Sequence, residues 1–331
     1  MRIATYNVEW FDALFDDAGR LHDDDRPSGR YGITRAGQTA ALGAVFRALD
    51  ADAVLIVEAP DTNRTRHGGP ALEGFAGRFG LRTRRALTGF VSETQQEIAL
   101  LYDPDAVEAV HDPQEGPPPR FDRMMRGGEG GPVRFDKPPL EVRLTPRGGT
   151  ALRLIGVHVK SLAAYGARDA QDARRIGLRN RQKQVAQCLW LRGRVEAHLA
   201  AGEPLIVLGD FNDGPQLDRD EGLFGRSGVE IVSGRDGPPA LRLFDANAER
   251  ALSQRMGFSP ASARFWLEPE RRFFSALIDF VLLSPDLMTR HPRWRIWHPF
   301  DDPKIYADLA LREALLAASD HFPVSVDLAD G

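Results

Sequence analysis

"LIVLGDFND", residues 205–213, is the stretch on which the reading of this chain turns. Leu205 to Leu208 form an apolar run of the kind that makes a buried strand, and Gly209 leads it into a turn carrying Asp210, Asn212 and Asp213. An ionised carboxylate taken out of water costs roughly several kcal/mol unless it is paired or bound to a metal. A strand that delivers two carboxylates and an amide to its own end therefore has something to hold there.

Working outward, the same feature recurs. IATYNVEWF (3–11) reads as a strand whose two-residue period puts Asn7 and Glu9 on one face. AVLIVEA (53–59) reaches its end at Glu58, and ALRLIGVHVKS (151–161) delivers His158, with Lys160 on the same face. SALIDFVLLS (275–284) reads as one strand with Asp279 inside it, and FPVSVDL (322–328) follows Asp320 and His321 directly. Between these runs, Leu42, Val45, Phe46 and Leu49 mark a helix face, EIALLYDP (97–104) a further strand, and 179–201 a second helix. GGT (148–150) separates LEVRLTP from ALRLIGVHVKS in a hairpin pattern, so those strands pair antiparallel. Hairpins mixed with helices point to an α+β sandwich of sheets covered by helices, not to a doubly wound parallel sheet. The excursion at about 111–139 is rich in Pro and Gly and reads as a loop carried by a single domain spanning 1–331.

Composition sets bounds on function. With 331 residues, 42% of them hydrophobic, the chain can bury a large core. It has no apolar run of about 18 residues to span a membrane and no leader-like start, which makes the cytoplasm the expected compartment. Nothing in it marks an obligate protein partner. Its one cysteine, Cys188, recurs with Val185, Leu191, Val195 and Leu199 at helical spacing and reads as core. A net charge of −4 argues against a broadly basic surface while leaving room for a locally basic groove.

A divalent cation gives the strand-end groups a common explanation. Glu58, Asp210, Asn212 and Asp320 are hard oxygen donors of the type taken by Mg²⁺ or Mn²⁺, and no Cys/His set suits a structural zinc. Asp279 is placed to accept the Nδ1 hydrogen of His321, which would fix the ring and leave its other nitrogen for water or phosphate. The acidic loop with Asp16, Asp17, Asp23, Asp24 and Asp25 reads as solvated and not as a second metal site.

Taken in order, YNVEW, IVEAP, GVHVKS, LGDFND, IDFVLL and SDHFPV resemble the endonuclease/exonuclease/phosphatase superfamily, the DNase I-like proteins, across residues 3–328. The resemblance implies a four-layered α/β/β/α sandwich with its site at one end of the two sheets. It implies that Glu58 is the principal metal ligand, that Asn7 and Asp320 lie close to the metal, and that Glu9 has a secondary role. Asp210 and Asn212 would orient water and phosphate oxygens, His321 held by Asp279 would act as base or charge stabiliser, and His158 would serve the phosphate or the leaving group. Two departures matter: the residue before Glu58 is Val57 where a Gln is usual, and GVHVKS stands where apurinic endonucleases carry Tyr-x-Pro-Asn. The second places the chain with the His-bearing branch.

The implied activity is metal-dependent hydrolysis of a phosphate ester, with nucleic acid the favoured substrate. Arg168, Arg174, Arg175, Arg179, Arg181 and Lys183 form a basic stretch able either to track a phosphodiester backbone or simply to solvate a helix. Lys160, Arg134 and Lys137 are candidates for contacting further phosphates. Trp10, Phe11, Phe211 and Trp266 lie near the motifs or in loops, where a base could stack, although Phe211 fits the core better. The competing readings are a phosphatase or phosphodiesterase of small or lipid phosphates, and a non-catalytic binding module.

Overall fold

Strands such as AVLIVEA show no polar alternation, the pattern of a strand covered on both faces. In the computed structural model they are covered in that way, by a second sheet on one side and helices on the other. The structure describes residues 1–92, 94, 96–116, 120–124, 130–215, 226–253, 259–267 and 271–329.

The first sheet is built from β1 (Arg2–Asn7), β2 (Ala53–Ala59), β3 (Arg85–Thr88), β4 (Glu97–Tyr102), β14 (Arg293–Ile296) and β15 (Val324–Asp327), in the order β14-β15-β1-β2-β4-β3. The second contains β5 (Val107–His111), β8 (Leu140–Pro146), β9 (Leu152–His158), β10 (Leu205–Asp210) and β13 (Asp279–Leu283), in the order β13-β10-β9-β8-β5. Among the described residues only β1/β2 and β9/β10 pair parallel, and β8 and β9 form the antiparallel pair expected from GGT. Ile3, Leu55, Leu100, Leu154, Leu208 and Val281 are among the residues of the core between the sheets. The sheets approach closely at Gly156, where an added Cβ would lie 2.3 Å from Leu55 Cδ1. Helices α1 (Arg35–Leu49) and α2 (Gly68–Phe79), with the helix Leu309–Ala318, cover the first sheet. The long α3 (Ala170–Ala200), with the helices Gly228–Ser233 and Ala246–Ser253, covers the second. This is the α/β/β/α order of the DNase I-like fold.

Several local expectations are revised. Helix α3 starts at Ala170 and not at 179, because Asp169 caps it by accepting the Asp172 N–H at 2.8 Å. The run 275–284 is two strands: β12 (Arg272–Ala276) ends before β13 begins at Asp279, and the Ser262 hydroxyl accepts the Ile278 and Asp279 N–H groups at 3.0 and 2.9 Å in the break. β12 pairs instead with β11 (Ala263–Leu267) as a separate two-stranded arm. Within the 111–139 excursion, β6 (Arg120–Met124) pairs with β7 (Gly130–Arg134), while its segments 117–119 and 125–129 lie outside the described residues. Cys188 is fully buried. The acidic loop is ion-paired to arginines, Asp16 to Arg20, Asp23 to Arg78 and Asp24 to Arg35. Among the described residues no helix is long and apolar enough to cross a membrane.

Candidate active site

The second sheet sets out one row of functional groups. In its register Asp210, the last residue of β10, lies opposite His158 of β9 on one side and Asp279 of β13 on the other. Gly209 makes the delivery possible. Its φ of +136° is one that side chains rarely allow, and an added Cβ would stand 2.0 Å from the Val157 carbonyl oxygen. The first sheet meets this row through Asn7, whose Nδ2 donates to Asp210 Oδ2 at 3.1 Å.

Around this rim the backbone leaves the ordinary regions. Among the described residues seven non-glycine positions have positive φ, and four of them, Glu9 (48°), Trp10 (58°), Glu58 (64°) and Asn212 (50°), gather here. Glu58 sits in the register break between Val57 and Ala59 where β2 meets β4, so a bulge aims its carboxylate. Val57 points into the core between the sheets and offers no substitute for the usual Gln. β1 stops at Asn7, so the two-residue period expected to align Asn7 with Glu9 does not reach Glu9. Instead the Glu9 N–H donates to Asn7 Oδ1 at 3.1 Å, and Glu9 Oε2 accepts the Asp320 N–H at 2.9 Å and Arg30 Nη1 at 3.1 Å.

The opening motif divides into two jobs. Asp210 Oδ1 accepts the Asn212 N–H at 2.7 Å, and Asn212 Nδ2 donates to Asp210 Oδ2 at 3.2 Å and to the Val159 carbonyl at 3.1 Å. Asp213, by contrast, is structural: its carboxylate pairs with buried Arg181 and takes the Gly228 N–H at 2.5 Å.

Electrostatics separate the titratable groups. Burial, then the charge of Asp279, pushes Asp210 up to about 7, with His321 and the Asn212 N–H opposing. Burial and Asp320 push Glu9 up to about 7 against Arg30. Burial alone would lower His321, but Asp279 Oδ2, 2.8 Å from its Nδ1, outweighs that and holds the imidazolium well above its ordinary range, with Asp210 and Asp320 adding. The Ser262 hydroxyl donates to the same Asp279 oxygen at 2.8 Å, fixing it. Burial, then Lys137, His321 and Lys160, keeps His158 well below its ordinary range and therefore neutral. Its Nε2 is 3.6 Å from Asp210 Oδ2, and Lys137 Nζ is 3.0 Å from its Nδ1.

Two places compete for a divalent cation. Asp210, Asp279 and His321 bring ligand atoms within 4.8 Å of one another. Their charges, however, already compensate, since the His321 imidazolium is bonded to Asp279 and its ring is committed to that carboxylate. Glu58 and Asp320 are less well met. Glu58 accepts the Trp10 N–H at 2.9 Å but has no ion pair among the described residues, and the nearest cationic group paired with Asp320 is His321 Nε2 at 3.9 Å. Burial, with the charge of Asp320 adding, raises the proton affinity of Glu9. Hard oxygen donors not committed to a close ion pair fit a hard divalent cation, and among the described residues Glu58 and Asp320 are such donors.

The structure thus brings Asn7, Glu9, Glu58, His158, Asp210, Asn212, Asp279, Asp320 and His321 into one linked set. Lys160 stands at its edge, held by its N–H and carbonyl to Gln187 and Gln184. Arg134 is exposed at the end of β7, and it is Lys137 from the same loop that enters the site. Most of the basic stretch is committed elsewhere. Arg168 and Arg175 pair with Asp172, Lys183 with Asp136, and Arg181 with Asp213. Sequence reasoning missed Ser262 and Arg30, which position Asp279 and Glu9, and neither belongs to a motif that would have disclosed it.

Comparison with known proteins agrees with this fold. The family described as Endonuclease/Exonuclease/phosphatase matches residues 4–321. No curated protein matches the chain in sequence. Similar solved structures include a mannosyl-6-phosphatase from Bacteroides thetaiotaomicron, with 14% identity, 100% of both chains covered and a TM-score of 0.52. An endonuclease/exonuclease/phosphatase family protein from the same organism has 14% identity over 100% of this chain and 98% of its own, with a TM-score of 0.52. Truncated TDP2 from Caenorhabditis elegans has 13% identity over 99% and 97%, with a TM-score of 0.51. At such identities the likeness is one of fold.

Two α/β layers stacked sheet to sheet, with acids and histidines at one end, define a phosphoester hydrolase of the DNase I-like class. The chain belongs to the endonuclease/exonuclease/phosphatase family.

Proposed function

We propose that the protein is a divalent-metal-dependent phosphodiesterase acting on nucleic acid. The observation that carries this reading is the gathering of the hydrogen-bonded His321–Asp279 pair with Asp210, their ligand atoms within 4.8 Å of one another and Asp210 bonded to Asn7, at the strand ends that also carry the carboxylates of Glu58 and Asp320. Glu58 and Asp320 would hold Mg²⁺ or Mn²⁺ with Asn7, and Glu9 would steady Asp320 from behind. When bound, the cation supplies neutralisation of phosphate charge.

The protein groups account for the remaining steps. Asp210, with a proton affinity near neutrality, takes the proton of the attacking water, and Asn212 keeps its carboxylate aimed. His321, charged through Asp279, stabilises the negative charge that builds on the phosphoryl oxygens. His158, neutral beside Lys137, hydrogen-bonds the phosphate or the departing oxygen. Water adds to phosphorus as one P–O ester bond breaks, and the departing oxygen takes a proton from solvent while Asp210 returns to solvent the one it accepted, giving a phosphomonoester and an alcohol. Lys160 and Arg134 would serve as outer contacts for neighbouring phosphates.

Support for a polymeric substrate comes from the rim more than from α3: Trp10 is 47% exposed next to Glu58, and Tyr165 is 84% exposed within the field of Glu58 and Asp320. A second reading, hydrolysis of small phosphate esters, is favoured by the pairing of the α3 arginines with Asp172 and Asp213. The two are separated by hydrolysis assays with and without excess chelator on single-stranded DNA, double-stranded DNA, RNA, bis(p-nitrophenyl) phosphate and p-nitrophenyl phosphate, with His321→Ala as the contamination control. Chelator-sensitive cleavage of the polymers and the diester is expected. Turnover of the monoester alone would replace the proposal with the small-phosphate reading.

A further inference from the structure

The β11–β12 arm carries a face that the chemistry above does not use. Its register sets Arg264 opposite Ser275 and Trp266 opposite Phe273, so these four side chains share one side. The arm is tied to the catalytic strand end: the Arg264 N–H donates to the Asp320 carbonyl at 2.7 Å, and Ala263 bridges to His321. Beside it lies a cavity of ≈ 520 Å³ whose lining includes Arg264, Ser275, Leu277, His298, Phe300 and Asp301.

Two polar groups lining this cavity have donors that no acceptor meets among the described residues. The Arg264 guanidinium sits over the rings of Phe273 and Phe300, at 4.1 and 5.0 Å from their centroids. Cation–π contacts use its charge and none of its N–H donors, and no carboxylate or other acceptor meets those donors among the described residues. His298 is buried and its Nε2 has no partner among the described residues. Its Nδ1 receives the N–H groups of Phe300 and Asp301 at 3.2 and 3.0 Å, which makes Nδ1 an acceptor and puts the ring hydrogen on Nε2. The Asp301 carboxylate is also 3.0 Å from Nδ1 and alone would favour the opposite tautomer. Two donors against one acceptor, on a ring that burial keeps neutral, decide for Nε2–H. That carboxylate stands at the other edge of the ring from Nε2.

A stacked guanidinium with open N–H edges next to a buried N–H donor is a receptor for an oxyanion. We propose that this cavity binds a non-scissile phosphate of the substrate, a neighbour in sequence of the phosphate being cleaved. Trp266 and Phe273, both about half exposed on the same face, offer the adjoining base a surface on which to stack. The inference rests on the phosphodiesterase reading and assigns that site a specificity determinant, Arg264, whose own N–H is bonded to the Asp320 carbonyl.

The test has two arms, so that failure of this inference is distinguishable from failure of the parent reading. In the first, kcat/KM is compared on a dithymidine diester with and without a terminal 5′- or 3′-phosphate and on bis(p-nitrophenyl) phosphate, for the wild type, Arg264→Gln and Arg264→Lys. The extra phosphate is expected to raise kcat/KM about tenfold in the wild type, and this preference should vanish in Arg264→Gln and survive in part in Arg264→Lys. Activity on bis(p-nitrophenyl) phosphate should not change. A wild type indifferent to the extra phosphate, or an Arg264→Gln variant that keeps the preference, overturns the proposal. In the second arm, phosphorus NMR line broadening of inorganic phosphate is measured in excess chelator, independently of turnover. Broadening lost in Arg264→Gln supports the cavity even if no diester is cleaved, and absence of broadening by the wild type refutes it.

Discussion

Replacing Asp279 by Asn tests the site at its most informative contact. Asp279 Oδ2 lies 2.8 Å from His321 Nδ1 and also accepts the Ser262 hydroxyl, while Oδ1 is buried without a partner among the described residues. An Asn oxygen can occupy the Oδ2 position and keep both bonds, so the ring should stay in place. What is lost is the charge. A hydrogen bond to a charged group is worth about 1.5–3 kcal/mol, and removing its charge component should cost roughly 2–3 kcal/mol of imidazolium stabilisation here because the pair is buried. If the imidazolium stabilises the transition state, kcat should fall by about 30- to 150-fold, with KM little changed. Steady-state kinetics on bis(p-nitrophenyl) phosphate would read this, alongside calorimetric titration with Mn²⁺. The metal arm is decisive for the site. If the cation belongs at Glu58 and Asp320, its affinity should be nearly untouched; if it sits among Asp210, Asp279 and His321, affinity and kcat should collapse together. A fall in kcat of less than threefold, or a parallel loss of metal binding, would refute the assignment.

Other consequences are independent of that pair. Glu58→Gln should weaken Mn²⁺ binding about 100-fold or more while leaving the thermal transition of the metal-free protein in place, as calorimetry would show. Gly209→Ala should cost about 4 kcal/mol or more in urea unfolding, because its Cβ would meet backbone at 2.0 Å and no rotamer change relieves it. Arg181→Met should destabilise by about 3–5 kcal/mol, leaving Asp213 buried and unpaired, with little change in the salt dependence of any DNA binding. Glu97 is pushed up to about 7 by burial, against 4.5 for the free group. The folded state therefore takes up a proton before the unfolded chain does, so this group's contribution to stability rises as pH falls from about 7 to about 4.5. That gain should be missing from Glu97→Gln when unfolding curves of the two proteins are compared across the range.

Sheets covered by helices and the strand-end groups were legible from local pattern, while the order of the layers came from the resemblance of the ordered motifs. An unbroken apolar run predicts a strand buried on two faces, and a carboxylate at its end predicts a site, so Asp210 could be read without any structure. What could not be read was set by backbone departures from regular strands. Glu9 was assigned by a two-residue period that ends at Asn7, and Asp279 was placed inside a strand that Ser262 in fact interrupts. Arg181 looked like part of a basic track because charge is visible in a sequence and its buried partner Asp213, 32 positions away, is not. The same reasoning explains why positive φ gathers at Glu9, Trp10, Glu58 and Asn212. A strand that keeps its regular geometry alternates its side chains between core and cover, and neither direction points along the strand toward a substrate at its end. Turning a carboxylate into that direction requires the bulge at Glu58 and the left-handed turn at Asn212. The strain in those residues is offset by the bonds each carboxylate and amide makes across the rim, from Trp10 to Glu58 and from Asn212 to Asp210.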